Sequence, residues 1–159
     1  MAHTFYNSPA GPLIISASDS GITEITFANQ TTEITKEESE NIIIKDCIAQ
    51  LDEYFSGNRK TFSVKLDPKG TPFQKEVWAE LKKIPFGKAT SYLELAKSLG
   101  DAKKIRAVGG ANGKNPIAII VPCHRVIGSD GSLTGYAGGM DKKRWLLQFE
   151  GIIKPDLFS

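Results

Sequence analysis

The sequence predicts an α+β chain in two parts, a strand-rich first portion and a mostly helical second one. Three observations carry this reading. Short β-branched runs alternate with Gly, Pro and Asp clusters as far as Phe27, the pattern of a meander. Capping boxes and helical apolar spacing dominate after position 70. Between them, Asp67-Pro68-Lys69-Gly70-Thr71-Pro72 has the composition of a linker, and the charge changes sign there. Residues 1–71 hold six basic and ten acidic side chains (−4), and residues 72–159 hold fourteen and eight (+6). The expected domains are therefore 1–70 and 71–159.

Each element follows from local chemistry. Strands are expected at His3–Asn7, Leu13–Ala17 and Ile22–Phe27, separated by Ser8-Pro9-Ala10-Gly11-Pro12 and Asp19-Ser20-Gly21. Residues 29–40 are polar and read as a loop. Ile44, Cys47, Ile48, Leu51 and Phe55 share one helical face, which ends at Ser56-Gly57. Cys47 on that face reads as an inert core thiol. Thr71 caps the next helix, with Pro72 in its first turn, Gln74 completing a capping box, and Phe73, Val77, Trp78 and Leu81 as its apolar side. Ser91 and Glu94 open a short helix through Leu99. After Gly100, Asp101 caps a helix running to about Asn112. Two helices about a tight glycine turn fit a helix-turn-helix, or equally an ordinary αα-hairpin. Ile117–Val121 is a buried strand-like run, and a last helix over Asp141–Glu150 carries Trp145, Leu146 and Phe149 on its apolar side.

Composition narrows the function. The chain has 159 residues, 40% apolar and 24% charged, which is ordinary for a folded domain. No apolar run nears the ~20 residues of a membrane helix, and the N-terminus lacks signal-peptide features, so a cytoplasmic protein is expected. Two cysteines and two histidines, His3, Cys47, Cys123 and His124, lack zinc-site spacing, and no metal is expected. The basic second half suits a polyanionic partner or a chance clustering of solvated charges, and charge alone does not choose between them.

The chemistry concentrates late in the chain. Cys123 follows an apolar run and Pro122, with His124 and Arg125 next to it. A thiolate needs a base or positive surroundings, which His124 and Arg125 offer, and Glu150 is a candidate to fix the imidazole tautomer. In an extended segment neighbouring side chains point to opposite faces, so a bridging water between Cys123 and His124 is one arrangement and direct contact another. A core cysteine beside a surface histidine explains the same residues equally well. The helix before this segment is also unusual. It places Gly109 and Gly110 in a helix interior, at a cost of about 1 kcal/mol each, beside Ala107, Ala111 and Arg106. Close approach of another backbone, from protein or nucleic acid, would offset that cost.

Pro122-Cys123-His124-Arg125-Val126 resembles the acceptor-cysteine signature of the O6-alkylguanine-DNA alkyltransferases (methylated-DNA–protein-cysteine methyltransferases). The resemblance extends in order through Gly70–Trp78, Ser91-Tyr92, Arg106–Ala111, Asn115-Pro116, Gly135–Gly139, Trp145-Leu146-Leu147 and Glu150-Gly151. It implies a small ribonuclease-H-like α/β N-terminal domain and a winged helix-turn-helix C-terminal domain. It implies DNA repair by one irreversible transfer of an alkyl group from O6-alkylguanine, and from O4-methylthymine, to Cys123. No cofactor is implied, and the partner would be double-stranded DNA bound by a monomer.

By the same resemblance, His124 deprotonates Cys123 through water, Glu150 orients His124, and Asn115 ties the recognition-helix turn to the active-site segment. Tyr136, Ala137, Gly138 and Val126 would line the guanine pocket, and Tyr92 would help rotate the nucleotide out. Arg106 would fill the gap it leaves, while Ala107, Gly110 and Ala111 let the helix approach the groove, with Arg125 also assigned to DNA. Lys143 aligns with a lysine near the leaving oxygen in some members, although Lys142-Lys143-Arg144 also reads as a basic helix start. The sequence departs from some members at Asn112, where they carry methionine, and at Ala118, where they carry proline. Three other functions compete, one of them a cysteine hydrolase, for which the sequence shows no recognisable oxyanion arrangement. Alkyltransferase-like damage binders replace the acceptor cysteine, which Cys123 argues against. A winged-helix regulator would not need the Pro122–Arg125 motif.

Overall fold

The computed structural model describes residues 2–28, 41–133, 135, 136 and 138–154. The expected loop at 29–40 lies outside them. By its internal contacts the chain forms two compact units, residues 1–70 with 116–120, and residues 71–115 with 121–159. A single boundary near 70 thus misses one short excursion, in which the chain re-enters the first unit.

In the first unit, β1 (Ala2–Ser8), β2 (Gly11–Ala17) and β3 (Ile22–Phe27) form an antiparallel meander. Strand alternation decides what is buried. Leu13, Ile15 and Ala17 of β2 face the core, and Ile15 lies between Thr4 of β1 and Ile25 of β3. Helix α1 (Ile42–Phe55) starts at Asn41, whose side chain accepts from the Ile44 N–H at 3.0 Å. It covers the sheet with Ile44, Cys47, Leu51 and Tyr54. The buried aromatic is Tyr54 rather than Phe55. Phe55 is half-exposed and meets the Tyr54 ring edge-on at 4.9 Å.

Two further segments extend the sheet beyond β3. Ile22 exchanges backbone hydrogen bonds with Lys65 and Asp67. Gly21 is required there, since a Cβ would stand 2.7 Å from the Leu66 carbonyl carbon. Ile25 likewise bonds to Pro116 and Ala118. The strand expected over Ile117–Val121 is only this single bridge. Ile119 has φ 73°, and Ile120 N–H donates to Ala118 O at 2.8 Å, closing a γ-turn that ends the extended run.

In the second unit, α2 (Pro72–Leu81) opens with the complete Thr71/Gln74 capping box. Its Trp78 indole donates to the Ala111 carbonyl at 2.9 Å. Helix α3 (Tyr92–Ser98) starts at Ser91, which accepts from Glu94 N–H, and Gly100 makes the turn at φ 97°. The helix expected from Asp101 is in two pieces. Asp101 caps one 3-10 turn, Ala102–Lys104, and α4 then runs from Ile105 to Gly113. The two-residue strands β4 (Thr90–Ser91) and β5 (Val126–Ile127) pair in parallel. Helix α5 (Met140–Phe149) closes the unit. Its buried face is Lys143, Leu146 and Leu147, whereas Trp145 and Phe149 stack on each other half-exposed, centroids 5.2 Å apart. No helix among the described residues is long and apolar enough to cross a membrane.

Candidate active site

Cys123 opens a single 3-10 turn, Cys123–Arg125, not an extended segment. Pro122 sets it up with φ −82° and ψ 62°, and Cys123 N–H donates to Val121 O at 2.8 Å. The turn sends all three side chains into the unit, so Cys123, His124 and Arg125 are each at most 6% exposed. Asn115, just past the end of α4, holds the approach, its Nδ2 donating to Val121 O at 2.8 Å.

The surroundings set the protonation states. Burial pushes the Cys123 thiol up, and hydrogen bonding from Asn115 and the charge of Lys143 only partly oppose it. The resting nucleophile is therefore a neutral thiol. Burial also holds the His124 imidazole below its ordinary range, against the pull of Glu150. His124 Nε2 lies 2.7 Å from Glu150 Oε2. Burial alone would raise the Glu150 carboxyl, yet hydrogen bonds from His124 and Arg125, with their charges, hold it at about 2. Facing an ionised carboxylate, Nε2 carries the proton. That leaves Nδ1 as the acceptor nitrogen. It is buried and has no hydrogen-bond partner among the described residues. A neutral imidazole with an open acceptor nitrogen, next to a neutral thiol, is the arrangement of a general base waiting for its proton.

Lys143 lies inside the unit, within electrostatic reach of Cys123. It is wholly buried, and its Nζ donates to Val126 O at 2.7 Å. Burial lowers its affinity for the proton while Cys123 raises it. It is not the solvated start of a basic helix. Positions 143, 146, 147 and 150 fall at i, i+3, i+4 and i+7, so helical periodicity was the signal that placed it inward. Val126 is buried in β5. Tyr136 is half-buried, and burial, with the Glu150 charge and that of Cys123 once it ionises, drives its hydroxyl well above its ordinary range. Gly138 is half-buried beside it, while Ala137 lies outside the described residues.

Arg106, Ala107 and Gly110 lie exposed along α4, flanked by exposed Lys103, Lys104 and Ile105. A Cβ on Gly110 would meet nothing within 4 Å, and one on Gly109 would touch the Tyr92 ring at 3.8 Å. Two expected DNA contacts are elsewhere. Ala111 is buried, its carbonyl accepting from Trp78, because it falls on the inner face of α4 with Val108. Arg125 is buried as well. Its Nε and Nη2 donate to the two Glu150 oxygens at 2.7 and 3.0 Å, and Nη1 donates to Ile84 O at 2.6 Å. The 3-10 turn, which sequence spacing did not indicate, is what turns this side chain inward. Among the described residues, no group of three His, Cys, Asp or Glu side chains could hold a metal ion.

Residues 1–68 match the ribonuclease-like domain of 6-O-methylguanine DNA methyltransferase, and residues 72–152 match its DNA binding domain. A methylated-DNA–protein-cysteine methyltransferase of Methanosarcina acetivorans is 47% identical over 154 residues, 95% of this chain and 99% of that protein. A constitutive homologue of the same name from Bacillus subtilis is 43% identical, covering 94% and 95%. A Mycobacterium tuberculosis O6-methylguanine methyltransferase crystal structure superposes with TM-score 0.83 at 43% identity, covering 98% and 96%. A structure from the same organism in complex with DNA gives 0.84 at 44%, covering 93% and 91%. The chain belongs to the 6-O-methylguanine DNA methyltransferase family.

Proposed function

We infer that this chain binds DNA and repairs it by direct reversal, moving the alkyl group of O6-alkylguanine, and of O4-methylthymine, onto Cys123. The observation that carries the inference is the buried thiol beside a neutral imidazole whose Nε2 is held by Glu150 and whose Nδ1 is open. His124 accepts the Cys123 proton through a water. The sulfur pair then attacks the alkyl carbon, and the carbon–oxygen bond breaks with its electrons on O6. A proton taken up by the ring lets guanine leave neutral. Tyr136 keeps its hydroxyl proton at neutral pH, so the group it brings to the guanine pocket is a neutral phenol. The product is a thioether, which water does not cleave, so each molecule acts once.

The substrate reaches a buried thiol only if the damaged nucleotide leaves the stack. The exposed α4 face, with Gly110 open to a second backbone, supports a close approach to the groove, and Arg106 occupies the space left behind. We assign the protein to the cytoplasm as a monomer. The test is the intact mass after mixing with a duplex bearing one O6-methylguanine. One added methylene, mapped to Cys123 and absent in Cys123→Ala, is expected, while Cys47→Ala still transfers. A Cys123→Ala chain that clears methyl groups at the normal rate refutes the assignment.

A further inference from the structure

We propose that Arg125 is a positioning residue of the transfer site, a clamp that neutralises Glu150 so that the carboxylate can orient His124 without protonating it. This rests on the transfer chemistry proposed above. The geometry is a closed fork. Glu150 Oε1 accepts from Arg125 Nε at 2.7 Å and from Gly87 N–H at 3.4 Å, and Oε2 accepts from Arg125 Nη2 at 3.0 Å and lies 2.7 Å from His124 Nε2. Both guanidinium edges are thereby used, since Nη1 is held by Ile84 O. The Phe86 ring sits 5.9 Å from the guanidinium carbon. The Ile84–Gly87 turn thus braces the fork with a carbonyl, a ring and an amide, none of them charged.

The consequence is electrostatic. A buried carboxylate needs a positive partner. If the imidazole were that partner, it would hold a second proton and could not accept one from Cys123. Arg125 supplies the charge permanently and at the same time repels a proton on His124. The other charged or titratable groups near His124 act the same way or are neutral. Lys143 from α5 also disfavours the imidazolium, and the Cys123 thiol and Tyr136 hydroxyl are uncharged at rest. Among the described residues, Glu150 is the one group on the other side of the balance.

The chain has two histidines, so His3→Gln leaves a single imidazole to follow by NMR through a pH titration. In that background Arg125→Gln is expected to raise the His124 midpoint by a full pH unit or more. Below both midpoints this leaves about tenfold less neutral imidazole, and the acid limb of single-turnover methyl transfer moves by the same amount. An unchanged midpoint overturns the proposal, whatever happens to the rate. Arg125→Lys guards against a chain that does not fold. It keeps the charge but loses the fork, so the midpoint stays near wild type while the rate on its pH-independent plateau falls severalfold. A wild-type plateau rate in that variant also overturns the clamp. Failure of the wild-type protein to transfer at all would instead refute the proposed function, and the His124 titration would still report on Arg125.

Discussion

Glu150→Gln tests the buried network at its centre. The carboxylate is fully enclosed and collects hydrogen bonds from Arg125, His124 and Gly87. Held at about 2 against an ordinary 4.5, it contributes about 3 kcal/mol of stability by linkage. The sign follows from the direction of the shift. A depressed carboxyl stabilises the fold fully above its unfolded value, and the contribution disappears as pH falls from about 4.5 through about 2. Removing the charge leaves the Arg125 guanidinium buried without its partner, a loss on the order of 3–5 kcal/mol at neutral pH. The two figures describe the same charge and do not add. A loss of that size is a large share of the ~5–15 kcal/mol of a typical domain. Urea unfolding, followed by the fluorescence of Trp78 and Trp145, measures it within the second unit. Wild type should exceed the variant by several kcal/mol at pH 7, and the gap should shrink steadily below pH 5. His124 protonation also weakens the fold of both chains as pH falls below its ordinary value. A gap that stays constant from pH 7 to pH 3, or a variant as stable as wild type at pH 7, refutes the reasoning.

Three other outcomes follow from the α4 face and the charge pattern. Arg106→Ala, at an exposed position, should slow transfer from duplex DNA far more than reaction with a free modified base, and equal losses on both would point to a folding defect. Gly110→Ala should stabilise the fold by up to about 1 kcal/mol in thermal melts, because its Cβ meets nothing, while weakening duplex binding through the lost close approach. Binding to unrelated undamaged duplexes should fall with salt at a log–log slope of about −0.9 per phosphate neutralised, reflecting the +6 balance of residues 72–159. A flat salt response, or one sequence preferred by orders of magnitude, would favour a sequence-specific regulator.

What local pattern determines was legible in the sequence. The Thr71 helix start, the three strands and the inward Ile44, Cys47 and Leu51 of α1 all depend on residues within one turn or one hairpin of each other. Asn41 is an ordinary capping residue immediately before an apolar run. The misreadings share a different cause. Arg125 finds its carboxylate 25 positions away, and nothing in the spacing of Pro122-Cys123-His124-Arg125 distinguishes a solvent-facing arginine from one drawn into a 3-10 turn. Ile119 breaks an apparent strand through a backbone conformation that β-branched residues rarely adopt, so propensity pointed the wrong way. Ala111 and Gly110 are adjacent small residues of α4, yet Ala111 falls on the inner face with Val108 and Asn112 and Gly110 does not. Lys143 was readable from periodicity, but its charge argued for the surface.

The resting charges of the site also bear on a protein that acts once. A thiolate held permanently at Cys123 would be the more reactive nucleophile, and it would meet any electrophile small enough to enter. Each such encounter would end in a thioether and remove one protein molecule from service. Burial of Cys123 outweighs Asn115 and Lys143 and keeps the thiol protonated, which removes that hazard. It also demands a base that stays neutral, and the imidazole meets the demand only while Glu150 is compensated by Arg125 rather than by His124 itself. The guanidinium is therefore better placed inside the unit than on the DNA-facing surface, even though a basic residue next to the acceptor would strengthen phosphate binding. Lys103 and Lys104 of the 3-10 turn before α4, and Arg106 of α4, are exposed basic side chains that could take that part without drawing charge away from the network.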